Sequence, residues 1–175
     1  MQVYTSIFLK TSVKLPSQLV DQLSVYATLA LLPLTIFAGW LSDKVGRKPV
    51  VVSGLILGAA LILPAFHLLQ NNSDSVVFIA LILIGLSAIL ALVVGPQTAL
   101  LAELFPAKTR NSAATLPHNL AAGWIGGLLP LIVTWLNQQW ASNILGLWYP
   151  TIFLASGAVV AILYLPETRK ANLLN

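Results

Sequence analysis

The chain of 175 residues contains no cysteine, a single methionine and only five acidic side chains. Without cysteine there is no disulfide framework, no thiolate nucleophile and no thiolate ligand for a metal. Charged residues make up 8% of the chain, against about 25% in a soluble globular domain. So few charges cannot cover a water-facing surface, and most of the surface must face lipid. The two histidines are far apart and no pair of acids lies inside an apolar stretch. That leaves no nucleophile with its base and no metal-ligand set at helical spacing. An enzyme is therefore not expected, and neither a cofactor nor a metal is called for. Also missing is the strict alternation over about ten residues that a transmembrane β-barrel requires.

What the chain does have is hydrophobicity, at 58% of residues, and long stretches free of ionic side chains. Between Asp21 and Asp43 there are 21 uncharged residues, between Lys48 and Asp74 there are 25, between Asp74 and Glu103 there are 28, and between Arg110 and Glu167 there are 56. About 20 apolar residues cross a hydrocarbon layer ~30 Å thick. The first three stretches fit one crossing each. The fourth fits two, divided by the polar run at 137–143. Spans are expected at 19–41, 50–69, 76–101, 112–136 and 144–165. Helices are the default, because lipid offers no partner to a free N–H or C=O. The expected fold class is therefore all-α integral membrane, with about five transmembrane helices.

Lysine and arginine set the expected orientation. One set of connections holds Lys44, Arg47, Lys48, Lys108, Arg110, Arg169 and Lys170, and the other holds Lys10 and Lys14. Seven against two places the first set in the cytoplasm. Loops 42–49 and 102–111 and the tail 166–175 then face the cell interior. The net charge of +4 is a topology signal, and no nucleic-acid partner is expected. The apolar start, Met1 to Leu9, is too short to cross and has its basic residues after it, unlike a signal peptide. Residues 1–15 read as the end of a helix whose beginning is missing, followed by an outer loop. Asp21 opens the first full span, where an acid complements the helix dipole; a proton site is the other reading of it.

Three segments carry more than topology. The first is Gly39-Trp40-Leu41-Ser42-Asp43-Lys44-Val45-Gly46-Arg47-Lys48-Pro49. Gly39 permits close helix approach, Gly46 supplies a turn conformation that a side chain resists, and Pro49 suits the start of a helix. Asp43 can pair with Arg47 or face the positive N-terminus of another helix. The second is Glu103-Leu104-Phe105-Pro106-Ala107-Lys108-Thr109-Arg110. A carboxylate at a helix C-terminus calls for a cationic partner, and Arg110 is the nearest in sequence. The third lies inside a span and holds Pro117, His118, Asn119, Gly123, Gly127 and Pro130. Gly123 and Gly127 form a small-xxx-small pair, and the prolines free carbonyls and allow bending. His118 and Asn119 need a cavity or a partner helix. Gly95-Pro96-Gln97 breaks the third span, either as a tolerated kink or as a bend that points Gln97 into a pathway.

The first segment resembles the signature loop of the major facilitator superfamily, Gly-x-Leu-Ala-Asp-x-x-Gly-Arg-Arg/Lys. It matches at Gly39, Leu41, Asp43, Gly46, Arg47 and Lys48, with Ser42 in place of the usual alanine. The resemblance implies that Asp43 and Arg47 form a charge lock favouring one orientation of a carrier. Glu103 to Arg110 resembles the loop after the fourth helix of a facilitator half, and Leu165-Pro166-Glu167-Thr168-Arg169 resembles the end of the sixth. The third segment is similar to the metabolite–proton symporter branch, which carries proline, glycine betaine and organic carboxylates such as oxoglutarate, citrate and shikimate. His118 stands where that branch usually has an aromatic residue. The resemblance implies a C-terminal half fragment in the cytoplasmic (inner) membrane of a bacterium; Gln97, His118 and Asn119 are the residues that could line its cavity. A small polar solute and a proton are the implied cargo, and the missing N-terminal half is the implied partner. Alone, the chain is expected not to transport. The other class left open is a non-transporting membrane subunit that packs against a partner protein.

Overall fold

The computed structural model describes residues 2–72, 75–104, 119–140, 142 and 144–168. Within them the chain forms helices α1 (Gln2–Thr11), α2 (Ser17–Val45), α3 (Arg47–Asn71) and α4 (Val76–Leu104). A π-helical turn, Ala121–Gly126, precedes α5 (Leu129–Gln139), and a 3₁₀ turn, Leu145–Leu147, leads into α6 (Trp148–Tyr164). No strand occurs among the described residues. Among the described residues four stretches are long and apolar enough to cross a bilayer: α2, α3, α4, and the 3₁₀ turn with α6, Leu145–Tyr164. The fold is an all-α membrane bundle.

The helices run past the limits that hydropathy set. At 29 residues each, α2 and α4 are roughly 44 Å long at 1.5 Å per residue, more than the apolar layer needs. Lys44 continues a helix as readily as most apolar residues, and Asp43 does so at a cost below about 1 kcal/mol. The connection expected over 42–49 is therefore helix up to Val45 and again from Arg47. Gly46 alone breaks it, at φ 127°, in the left-handed region that favours glycine.

The span expected at 112–136 differs most. Residues 105–118 lie outside the described residues. The remainder is a π-helical turn followed by an 11-residue helix. Pro130 stands in the first turn of α5, where its missing N–H costs nothing, so the helix restarts there. Four of the five expected spans are thus seen as crossing stretches among the described residues, and the first part of the other, at 112–118, lies outside them.

α4 packs along both α2 and α3, and α6 packs along α3. At the crossing of α2 and α4 a Cβ on Gly95 would lie 2.7 Å from the carbonyl oxygen of Thr35 and 3.0 Å from the backbone nitrogen of Gly39. Glycine is required there. A Cβ on Gly39 would meet only the Gly95 oxygen at 3.7 Å, an ordinary contact. The α3–α4 contact likewise depends on Gly54, whose Cβ would fall 2.8 Å from Val93 and 2.9 Å from the Leu92 Cβ.

The buried core gathers toward the end of the bundle opposite Gly46. It contains Tyr4, Phe8, Leu9, Val20, Leu23, Phe66, Leu69, Ile79, Val133 and Leu147. Phe8 and Phe66 meet edge to face at 4.9 Å. Asn137 ties this end together, donating to the Tyr4 hydroxyl (3.0 Å) and accepting from the backbone N–H of Gly146 (2.6 Å). Elsewhere large apolar side chains point outward, among them Ile36, Phe37, Val77, Leu131, Leu163 and Tyr164. Lipid is the solvent in which such a surface is stable.

Candidate functional site

The polar centre of the molecule lies at the Gly46 end, around Arg47. Its backbone begins α3, and its side chain turns back between the C-terminal ends of α2 and α4. Only 11% of that side chain is exposed. Nη1 pairs with the Asp43 carboxylate at 2.5 Å and donates to the Ser42 hydroxyl at 2.6 Å. Nη2 donates to Glu103 at 3.2 Å. Nε faces both oxygens of the same carboxylate at 3.4 Å. One guanidinium therefore joins α2 and α4, and its planar fork suits this division of donors.

The segment after α6 completes the cluster. Thr168 donates its hydroxyl to Glu103 Oε2 at 2.5 Å. Glu167 accepts from the backbone N–H groups of Arg47 (2.9 Å) and Lys48 (3.2 Å). These are donors without helical partners at the start of α3, and a negative charge there also suits the helix dipole. Lys48 Nζ donates to the carbonyl of Ile162 in the last turn of α6 at 2.7 Å. Gly46 makes room for this arrangement, since a Cβ would sit 2.5 Å from a Glu167 carboxylate oxygen. Lys44 lies outside the network, 4.0 Å above the Trp40 ring.

The structure thus gathers Asp43, Gly46, Arg47, Lys48 and Glu103, with Gly39 one turn away on α2. It adds three side chains that had no assigned role: Ser42, Glu167 and Thr168. A lone acid beside a threonine just past the last apolar run was the available signal. Among the described residues the cation of Glu103 is Arg47; Arg110 lies outside them, as do Pro117 and His118. Asn119 is exposed on the turn before Ala121, and a Cβ on Gly123 would meet nothing within 4 Å. Gly127 sits directly against the Gly123 carbonyl, so close that a Cβ would overlap it. Pro96 is fully buried within α4, and Gln97 is half-buried.

A cavity of about 290 Å³ lies between α1, α2, α3, α4 and Leu154 of α6. Its wall is mostly apolar, from Phe66, Leu83, Leu90 and Val93, with a hydroxyl patch from Ser6, Ser24, Thr28 and Ser87. The Ser6 and Ser24 hydroxyls are 2.9 Å apart. Gln97 and Asn119 do not line it.

Several lipid-length apolar helices, joined at one end by an ionic cluster built on a glycine turn, define a multi-pass membrane protein. Residues 2–175 match the Major Facilitator Superfamily, and the chain belongs to that family. It is 29% identical over 171 residues to the ectoine/proline transporter ProP of Corynebacterium glutamicum, covering 98% of this chain and 33% of that protein. It is 33% identical to the inner membrane metabolite transport protein YhjE of Escherichia coli, covering 78% of this chain and 30% of that one. It is 36% identical to the glycine betaine/proline/ectoine/pipecolic acid transporter OusA of Dickeya dadantii, covering 71% of this chain and 24% of that protein. The chain thus spans a quarter to a third of the length of these relatives. No solved structure matches it.

Proposed function

We propose that this chain supplies five helices of the C-terminal half of a proton-coupled carrier for small polar metabolites, and that the Arg47 network is its conformational lock. Carriers of this kind alternate access by rocking two halves about a site near the bilayer midplane. The observation that carries the reading is one mostly buried guanidinium joining the ends of α2 and α4. The segment after α6 closes over the same carboxylate. Such a cluster stabilises one packing of the helix ends and is broken in another. The pairs are discrete, so the ends are either held or free.

Seven basic residues against two support placing this end in the cytoplasm of a bacterium, with the chain in its inner membrane. The relatives' names support compatible solutes such as proline, betaine and ectoine, or an organic carboxylate, as substrate. The proton step is not assigned to an acid of this chain. Asp21, at the start of α2, is held by Lys10 at 2.7 Å. The Asp43 and Glu103 carboxylates serve Arg47.

Spanning only part of its relatives, the chain is read as one wall of the substrate site. Proteoliposomes that contain it alone are expected to show no saturable, proton-driven uptake of proline or betaine. Uptake in them overturns the fragment reading. In the complete carrier, Asp43→Asn is expected to cut uptake at least tenfold while insertion and abundance stay unchanged. Unaltered uptake removes the lock.

A further inference from the structure

We infer that Ser42 is a positioning residue of the Arg47 network. Its hydroxyl pins one guanidinium nitrogen so that the opposite edge of the plane stays aimed at Glu103. The inference rests on the reading of this cluster as a lock and adds a residue to it.

Ser42 is completely buried near the C-terminal end of α2. Its hydroxyl has one hydrogen, and that hydrogen goes to the Gly39 carbonyl at 2.7 Å. The oxygen is left as an acceptor, and Arg47 Nη1 meets it at 2.6 Å. Nη1 carries two hydrogens, and the other faces Asp43. A guanidinium is flat, so fixing Nη1 fixes the directions of Nη2 and Nε as well. Those are the two nitrogens that face Glu103. Asp43 cannot supply this orientation alone, because its side chain is 58% exposed and free to exchange the pair for water. The Ser42 hydroxyl has no such alternative. Its own hydrogen bond also reaches Gly39, the residue that faces Gly95 where α2 and α4 cross. Ser42 therefore couples the backbone at that crossing to the direction of the Arg47 fork.

Alanine is the usual residue at this position in the resembling signature loop, so Ser42→Ala is expected to fold. The variant leaves a buried N–H of Arg47 without its acceptor, and hydrogen bonds to charged groups carry more energy than neutral ones. The absence of cysteine makes the test direct. A single cysteine is introduced at Ala102, next to Glu103, and its maleimide labelling rate is measured in the whole chain in lipid nanodiscs. Ser42→Ala is expected to raise the rate about tenfold. With Arg47→Gln already present, Ser42→Ala is expected to change it by less than about twofold, because the hydroxyl acts through Arg47. An unchanged rate in the single variant overturns the inference. So do effects that add in the double variant, since a packing role would add.

Nitrogen-15 spectra of arginine side chains give a second readout that does not need Arg47→Gln. The two Nη signals of Arg47 are expected to be separate in the parent chain and to merge in Ser42→Ala. Signals that stay separate in the variant overturn the inference. Neither readout measures uptake. A failed cycle leaves the carrier reading standing, and a carrier that does not transport leaves the cycle interpretable.

Discussion

A single arginine can hold two carboxylates and a hydroxyl only where their directions match its fork, and the three acceptors around Arg47 differ in burial. Glu103 exposes 11% of its side chain and Asp43 exposes 58%. Removing one partner of a buried pair costs about 3 kcal/mol or more, because the other charge stays desolvated. An exposed pair contributes at most ~1 kcal/mol. Glu103→Gln is therefore expected to destabilise the chain more than Asp43→Asn, by roughly 2 kcal/mol. Thermal unfolding of the two variants in the same nanodiscs checks the order, and equal losses contradict it. This difference was not legible in the sequence. The Asp43–Arg47 pair was one of the two readings open for Asp43, because the residues lie four positions apart across a glycine turn. The Glu103–Arg47 pair spans 56 positions, and only the packing of α4 against α2 brings it together. Sequence proximity pointed Glu103 toward Arg110, which lies outside the described residues.

Between elements, backbone approach decides which glycines matter. Gly39 and Gly95 both stood out in the sequence, yet the crossing of α2 and α4 is tight on one side only. Gly95→Leu is expected to push against the Thr35 carbonyl and Ala38 and to cost about 1–3 kcal/mol. Gly39→Ala is expected to be close to neutral. Unfolding of the two variants measures the asymmetry, and a harmless Gly95→Leu removes the crossing as drawn. The helices themselves were legible from charge-free runs of the right length. Their ends were not, because Asp43, Lys44 and Glu103 continue a helix beyond the apolar layer. The polar run that begins at Asn137 does divide α5 from α6, and within it Asn137 also bridges Tyr4 and Gly146 through one amide. No periodic pattern announces a contact between positions 4 and 137. Asn137→Ala is expected to cost about 1–3 kcal/mol by leaving the buried Gly146 N–H unpaired, and an unfolding curve that matches the parent contradicts this.

For the whole molecule, the two ends of the bundle are built differently. At one end aromatic and aliphatic side chains form an apolar core, with the hydrogen bonds of Asn137 and the exposed Lys10–Asp21 pair beside it. At the other, charges hold the helix ends. A neutral core gains little from separation, whereas an ionic cluster near water can exchange its partners. That division suits a body that pivots at one end and opens at the other. A lock at the charged end requires α2 and α3 to cross the bilayer with the Gly46 turn facing the cell interior. Single cysteines at Lys44 and Asn71, each placed in the otherwise cysteine-free chain, test it in intact cells with a membrane-impermeant maleimide. Asn71→Cys is expected to label from outside, and Lys44→Cys only after the cells are permeabilised. Labelling of Lys44→Cys in intact cells while Asn71→Cys stays protected would contradict the account.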